Sequence, residues 1–242
     1  MITKIEYLKR LKLKNPVMIV GLPGIGSVGS IVSEQLRLSL NAKPFARLYS
    51  PYFPPMVKVV ENGSISLLSN TFYYTKIKKQ DVVILSGDAQ VMQDSFGAYE
   101  VSEKIVKFFS SLNGKLLYAI GGYNIADHYI TNPRVFAAAN KESLLSKMKE
   151  YNVNIVNTPT NIFGALGLIP AIAKDYRIDA ICLMGESGFV DIDANAAKAV
   201  LNVLFQIFNF SIDLSDLDKI KAELEKLLEE MKPPSDNTTY IR

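Results

Sequence analysis

Four uninterrupted apolar runs constrain the fold of this chain more than any other feature: Val17-Met18-Ile19-Val20, Val82-Val83-Ile84-Leu85, Leu116-Leu117-Tyr118-Ala119-Ile120 and Ile181-Cys182-Leu183-Met184. A strand that is apolar at every position has both faces buried, the condition of a parallel sheet covered by helices on both sides. Between the runs lie stretches of helical period, at residues 25–40, 95–112, 165–176 and 193–208. The expected architecture is therefore α/β, with three layers: a mainly parallel central sheet with the four runs side by side, and helices on both faces.

The remaining segments modify this plan. Prolines at 44, 51, 54 and 55 precede Met56–Val60 and Ser64–Tyr74, which Glu61-Asn62-Gly63 joins as an antiparallel hairpin insertion. Glycines are expected to end two runs, Gly121-Gly122 after Ile120 and Gly185 after Met184, and Pro170 to interrupt the helix it lies in. Weaker signals suggest strands at Pro133–Ala139 and Val153–Val156 around a helix at Lys141–Glu150. Leu217, Ile220, Leu224, Leu227 and Met231 follow a spacing of three and four residues, the seam of a heptad helix that must pack on the domain or on a second subunit. Ser215 and Asp218 read as its capping box, and Pro233-Pro234 end it. The expected plan is an α/β domain over 1–212, a heptad helix over 213–232 and a flexible tail over 233–242.

Composition narrows the chemistry. With one cysteine and one histidine, no disulfide forms within the chain and no Cys/His zinc site is assembled. Any triad that uses a histidine has to use His128, in Asp127-His128-Tyr129. Cys182, mid-strand among apolar residues, reads as an inert core thiol. No apolar run reaches the roughly 18 residues of a membrane span, and the first residues are too charged for a signal peptide, so a cytoplasmic chain without a membrane partner is expected. A net charge of +3 gives no reason to expect nucleic acid, and the basic residues from Lys4 to Lys14 read as solvated surface. Neither a metal nor a cofactor is expected.

Two sets of residues carry candidate chemistry. Gly24-Ile25-Gly26-Ser27-Val28-Gly29 has the Gly-x-Gly-x-x-Gly spacing after a strand and at a helix start, where backbone amides receive phosphate. Residues 44–52 hold no Asp or Glu for a ribose, so close packing of helix on sheet is the preferred role of Gly24, Gly26 and Gly29. Asp88 and Glu186 follow two of the apolar runs, at the sheet edge where open α/β folds place ligands. They read as an acid/base pair, as cation ligands with Asp191 and Asp193, or, preferably, as caps of the helices that follow.

Taken together, Gly21-Leu22-Pro23-Gly24-Ile25-Gly26-Ser27-Val28-Gly29, Leu85-Ser86-Gly87-Asp88-Ala89-Gln90, and Gly185-Glu186-Ser187-Gly188 with Asp191 and the helix from Ala194 to Leu204 resemble the archaeal branch of the proteasome assembly chaperone family. The resemblance implies a fold like that of purine nucleoside phosphorylases without their active-site residues, assembly into homo-oligomers, and binding of proteasome subunits. It further implies a tail, with tyrosine next to last, that docks between subunits of an α-type ring. Here the tail reads Thr239-Tyr240-Ile241-Arg242, one residue out of that register, and Tyr240, Ile241 and Arg242 are the expected contacts. The competing expectation is a phosphorylase-like or hydrolase-like enzyme that binds a small anion at Gly24–Gly29, with Asp88 and Glu186 as acid and base.

Overall fold

A computed structural model of the chain describes residues 2–91, 94–125, 128–188, 191–219 and 222. In chain order its elements are β1 (Lys4–Tyr7), β2 (Val17–Gly21), α1 (Val28–Ser39), β3 (Lys43–Tyr49), β4 (Val57–Val59), β5 (Ile65–Leu67), β6 (Asn70–Ile77), β7 (Gln80–Gly87) and α2 (Ser95–Ser111). Then follow β8 (Leu116–Asn124), β9 (Val135–Ala139), α3 (Glu142–Lys149), β10 (Asn154–Ile155), α4 (Ala165–Ala173), β11 (Asp179–Ser187) and α5 (Ala194–Phe208).

The four apolar runs are β2, β7, β8 and β11, adjacent and mutually parallel in the order β7-β2-β8-β11. Their uninterrupted hydrophobicity has the expected cause. Val17, Ile19, Val82, Ile84, Tyr118, Ile120, Ile181 and Leu183 face one apolar core, shared with α1, α3 and α5. Met18, Val20, Val83, Leu85, Leu117 and Ala180 face a second, shared with α2 and α4. Each large side chain so buried stabilises the fold by about 1.5–3 kcal/mol relative to exposure. The flanks complete a nine-stranded mixed sheet: β6, β3 and β1 add antiparallel beyond β7, and β9 adds antiparallel beyond β11 with β10 parallel to it. β4 and β5 form a separate hairpin whose turn carries Gly63 at φ +78°, as Asn62-Gly63 indicated, but the expected second strand, Ser64–Tyr74, is split: only Ile65–Leu67 pairs with β4, and from Asn70 the chain runs as β6 of the main sheet.

Several local expectations need correction. β8 and β11 do not stop at their glycines, because Gly121 pairs with Met184 and Gly122 with Gly185 in a continuous ladder. These glycines serve close approach: a Cβ on Gly122 would lie 2.5 Å from the Ile25 oxygen, and one on Gly185 2.6 Å from the Ala196 oxygen. Lys4–Tyr7, within the stretch read as solvated surface, is an edge strand on β3. β3 itself contains Pro44 and is irregular between Pro44 and Ala46, which hides it among the prolines.

Pro170 lies inside α4 without ending it. Its ring nitrogen carries no hydrogen, so the Leu166 carbonyl lacks its helical donor. The Cys182 thiol takes that place, donating to Leu166 O at 3.1 Å. Burial pushes this thiol up to about 12 and keeps it protonated. Cys182→Ala is expected to cost about 1 kcal/mol by thermal denaturation, and less in a Pro170→Ala background, where the helical N–H returns. Equal cost in both backgrounds rules the contact out as the cause.

After α5 the chain returns over the first core. Residues 215–219 are helical, and Leu214 and Leu217 are buried among α1 and α5 side chains. Just before this helix Asp213 accepts from the Ser215 amide at 2.9 Å and from its hydroxyl at 3.0 Å, while Asp218 pairs with Lys198. The expected Ser215–Asp218 box is thus replaced. Ile220, Leu224, Leu227 and Met231 lie outside the described residues, as do Tyr240, Ile241 and Arg242. Among the described residues no helix is long and apolar enough to cross a membrane.

Candidate functional site

The glycine turn joins β2 to α1 through a single 3-10 turn at Ile25–Ser27, in which Gly26 takes φ +57°. A Cβ on Gly26 would lie 2.6 Å from Ser187 Oγ, and one on Gly29 2.6 Å from the Ile120 oxygen and 2.7 Å from the Leu22 oxygen. α1 is therefore pressed directly on the sheet, as the packing role requires. Gly24 differs: it is extended, and a Cβ there would meet only Gln90 Nε2, at 3.6 Å.

The end of β11 and the start of α5 close over this turn. The Asp193 amide donates to Gly26 O at 2.8 Å and Ser27 Oγ donates to Asp191 O at 2.9 Å. The Asp193 side chain is fully buried, accepting from the Ala196 amide at 2.9 Å and from Ser187 Oγ at 2.8 Å. An anion at the turn would meet a carboxylate there, so the turn is built as a joint. ATP, NAD and phosphate are accordingly expected to leave the melting temperature unchanged, because a ligand selective for the native state raises it by mass action. A dose-dependent rise would overturn this.

Asp88 and Glu186 are not brought together. β2 and β8 stand between their strands, and three spacings of about 4.8 Å put them roughly 14 Å apart, beyond any shared acid/base geometry. Each is already engaged. Asp88 pairs with Lys58 at 2.7 Å and accepts from the Ser69 amide at 3.0 Å. Glu186, 7% exposed, accepts from the Arg134 amide and Nε, both at 2.9 Å, and from Nη2 at 2.5 Å. The helix caps expected of these two are made by other carboxylates, Asp94 on α2 and Asp193 on α5. Among the described residues no group of three or more His, Cys, Asp or Glu side chains is placed to hold a metal ion. His128 is exposed, with its main-chain oxygen against Gly188, and Asp127 lies outside the described residues.

The Arg134 hydrogen bonds hold the Glu186 carboxyl below its ordinary range, against the opposing effect of burial. A depressed value contributes stability that is complete above the unfolded carboxylate pKa and is lost as pH falls through the folded one. Glu186→Gln is thus expected to be less stable than the parent by about 1 kcal/mol at pH 7, with the gap closing below about pH 4.5. Urea titrations at pH 7 and 3.5 measure it, and a gap that persists at low pH would assign the loss to packing.

Beside the turn, at the carboxyl ends of β2 and β8, lies a cleft of about 710 Å³ walled by residues including Leu22, Ile120, Tyr123, Phe163 and Leu166. α1 and α2 leave opposite faces of the sheet on either side of it, the switch point where open α/β sheets hold ligands. Its described lining contains no Asp, Glu, Lys, Arg or His. Phe163 stands 83% exposed on its lip. Behind it, beside a void of about 10 Å³, the amide of Asn70 is fully buried without a hydrogen-bond partner among the described residues. These neutral walls suit an apolar surface and not the anion expected of an enzyme. The sequence reading missed this cleft because its rim, residues 160–164, shows no periodic pattern.

Residues 18–232 match the model of the PAC2 family. The chain belongs to the PAC2 family. Among curated proteins this PAC2 chain is 33% identical over 220 residues to uncharacterized protein MJ1210 of Methanocaldococcus jannaschii, covering 91% of this chain and 84% of that one. Among solved structures it is similar to Pyrococcus furiosus PbaB, an archaeal proteasome activator, at 36% identity and TM-score 0.88 over 94% of this chain and 98% of that one. Pyrococcus furiosus PbaA, an archaeal homolog of proteasome-assembly chaperone, shares the fold at 22% identity and TM-score 0.77, over 94% and 91% of the two chains. The family resemblance drawn from the three glycine-containing motifs is thereby established.

Proposed function

We propose that this PAC2 protein binds proteasome subunits, as an assembly chaperone or activator, and does so as a homo-oligomer. The observation that carries the reading is the likeness to PbaB, at 36% identity and TM-score 0.88 across 94% of the chain. The separation and prior engagement of Asp88 and Glu186, and the neutral cleft, favour a binding protein over the phosphorylase-like or hydrolase-like enzyme. The finer part of the proposal is that the α-type ring is the target and that Tyr240, Ile241 and Arg242 dock into it. Tyrosine supplies a rigid apolar body with a hydroxyl, and a peptide tethered through 233–239 adds local concentration to a contact made by the domain.

Titration of the full chain against purified archaeal proteasome α subunits tests this. The parent is expected to bind, and Tyr240→Ala to weaken binding about tenfold, more than Arg242→Ala, because aromatic anchors dominate small contacts. Parent-like binding by Tyr240→Ala would move the contact to the globular domain, and no binding by the parent would overturn the reading.

A further inference from the structure

The hairpin of β4 and β5 turns its apolar side to solvent. Val57 stands opposite Leu67 and Val59 opposite Ile65, so strand alternation places all four on one face. Val57, Val59, Ile65 and Leu67 are 49%, 71%, 70% and 53% exposed. The opposite face carries Lys58 and Ser66, and Lys58 reaches the body of the domain through Asp88. The Asp88 carboxylate also holds the Ser69 amide, just past the end of β5, and Phe53 and Leu68, at the two feet of the hairpin, are buried in the second core. The hairpin is thus fastened by its polar face and its feet. A ribbon that packed on its own domain would face the other way.

We infer that this face is the contact between copies of the chain, a proposal that rests on the self-assembly part of the reading above. The four side chains leave on the order of 400 Å² of apolar surface in water, within the range of the largest patch on an ordinary monomer and often a functional one. Two copies apposed through the patch bury on the order of 800 Å² in total, about half of a standard interface. None of the four facing residues is charged, so a two-fold apposition of the patch on itself meets no like-charge repulsion. The anchored feet also leave little backbone to order on contact.

Sedimentation velocity of the full chain and of Val59→Asp/Ile65→Asp tests the proposal, with melting curves alongside. The parent is expected to sediment as an oligomer, and the double variant to dissociate at a concentration about tenfold higher or more, with its melting temperature at high dilution kept. A second measurement uses cysteine chemistry. Cys182 is buried, so Val59→Cys places one accessible thiol on the face, and a short bis-maleimide should join two copies through it. Lys149→Cys, on exposed α3, should not be joined. A monomeric parent would overturn both self-assembly and the hairpin contact. An oligomeric parent whose mass is unchanged in the double variant, without the Val59→Cys crosslink, would overturn the hairpin contact alone. A lower melting temperature at unchanged mass would mean that the chain's own residues cover the face, and weaker binding of α subunits at unchanged mass would assign the face to the proteasome. Either result overturns the proposal.

Discussion

A Gly29→Val chain is expected to be destabilised by at least 3 kcal/mol and to melt about 10 °C or more below the parent, if it folds at all. The first β-carbon alone would lie 2.6 Å from the Ile120 oxygen and 2.7 Å from the Leu22 oxygen. Both obstacles are main chain, one in β8 and one just past the end of β2, so no rotamer change relieves them. α1 would have to lift, and with it Val28, Val32 and Leu36, each fully buried in the first core. Gly21 on β2 serves the same close approach, since a Cβ there would come within 2.0 Å of the Gly29 oxygen. Gly24→Ala is the control. It sits in the same motif, in extended backbone and with open space, and should change stability by less than about 1 kcal/mol. Differential scanning calorimetry of the two variants decides whether the motif is a packing joint. A Gly29→Val protein as stable as Gly24→Ala would refute it.

Asp193→Ala is expected to cost about 3 kcal/mol, unusually much for a helix cap. An exposed cap contributes about 1 kcal/mol, and the excess comes from burial. Asp193 is fully buried, and its loss would take the side-chain acceptor from the Ala196 amide and leave the Ser187 hydroxyl only its long contact to Gly188 O, at 3.4 Å. The same residue touches Gly26 through its main chain, so fraying of α5 should spread to the glycine turn. Amide exchange is the sensitive readout: protection is expected to fall in the first turn of α5 and at Ser27 to Gly29, while α2 and α4 keep theirs. Asp193→Asn retains an acceptor for the Ala196 amide and should recover part of the loss. A cost below about 0.5 kcal/mol for Asp193→Ala would show that water satisfies these groups and that the turn does not depend on the cap.

The two variants probe opposite sides of one junction, where β2, β11, α1 and α5 meet beside the neutral cleft. No catalytic constellation was found there among the described residues. Asp88, read as half of an acid/base pair, instead fastens the outward-facing hairpin, and Glu186 fixes Arg134 at the end of the loop into β9. Carboxylates at the carboxyl edge of an α/β sheet invite a catalytic interpretation, but here the buried Glu186 and the partly exposed Asp88 are both engaged by neighbours.

What the amino-acid sequence determined by itself is what depends on near neighbours along the chain. The four central strands were legible because burial on both faces writes an unbroken apolar run. α1, α2 and α5 were legible from their period, the hairpin turn from Asn62-Gly63, and the family from three short motifs. Only the tertiary structure decided the partners of the polar groups. Arg134 and Glu186 are 52 residues apart, Lys58 and Asp88 are 30, and Cys182 and Leu166 are 16, and no local pattern encodes such pairings. The edge strand β1 was hidden for a related reason: three of its four residues are exposed, so it is held by main-chain hydrogen bonds to β3 that any side chains permit. The outward face of the β4–β5 hairpin was equally closed to sequence reading. Alternation shows that Val57, Val59, Ile65 and Leu67 share a side, but which side meets water depends on where Asp88 and the second core stand in space.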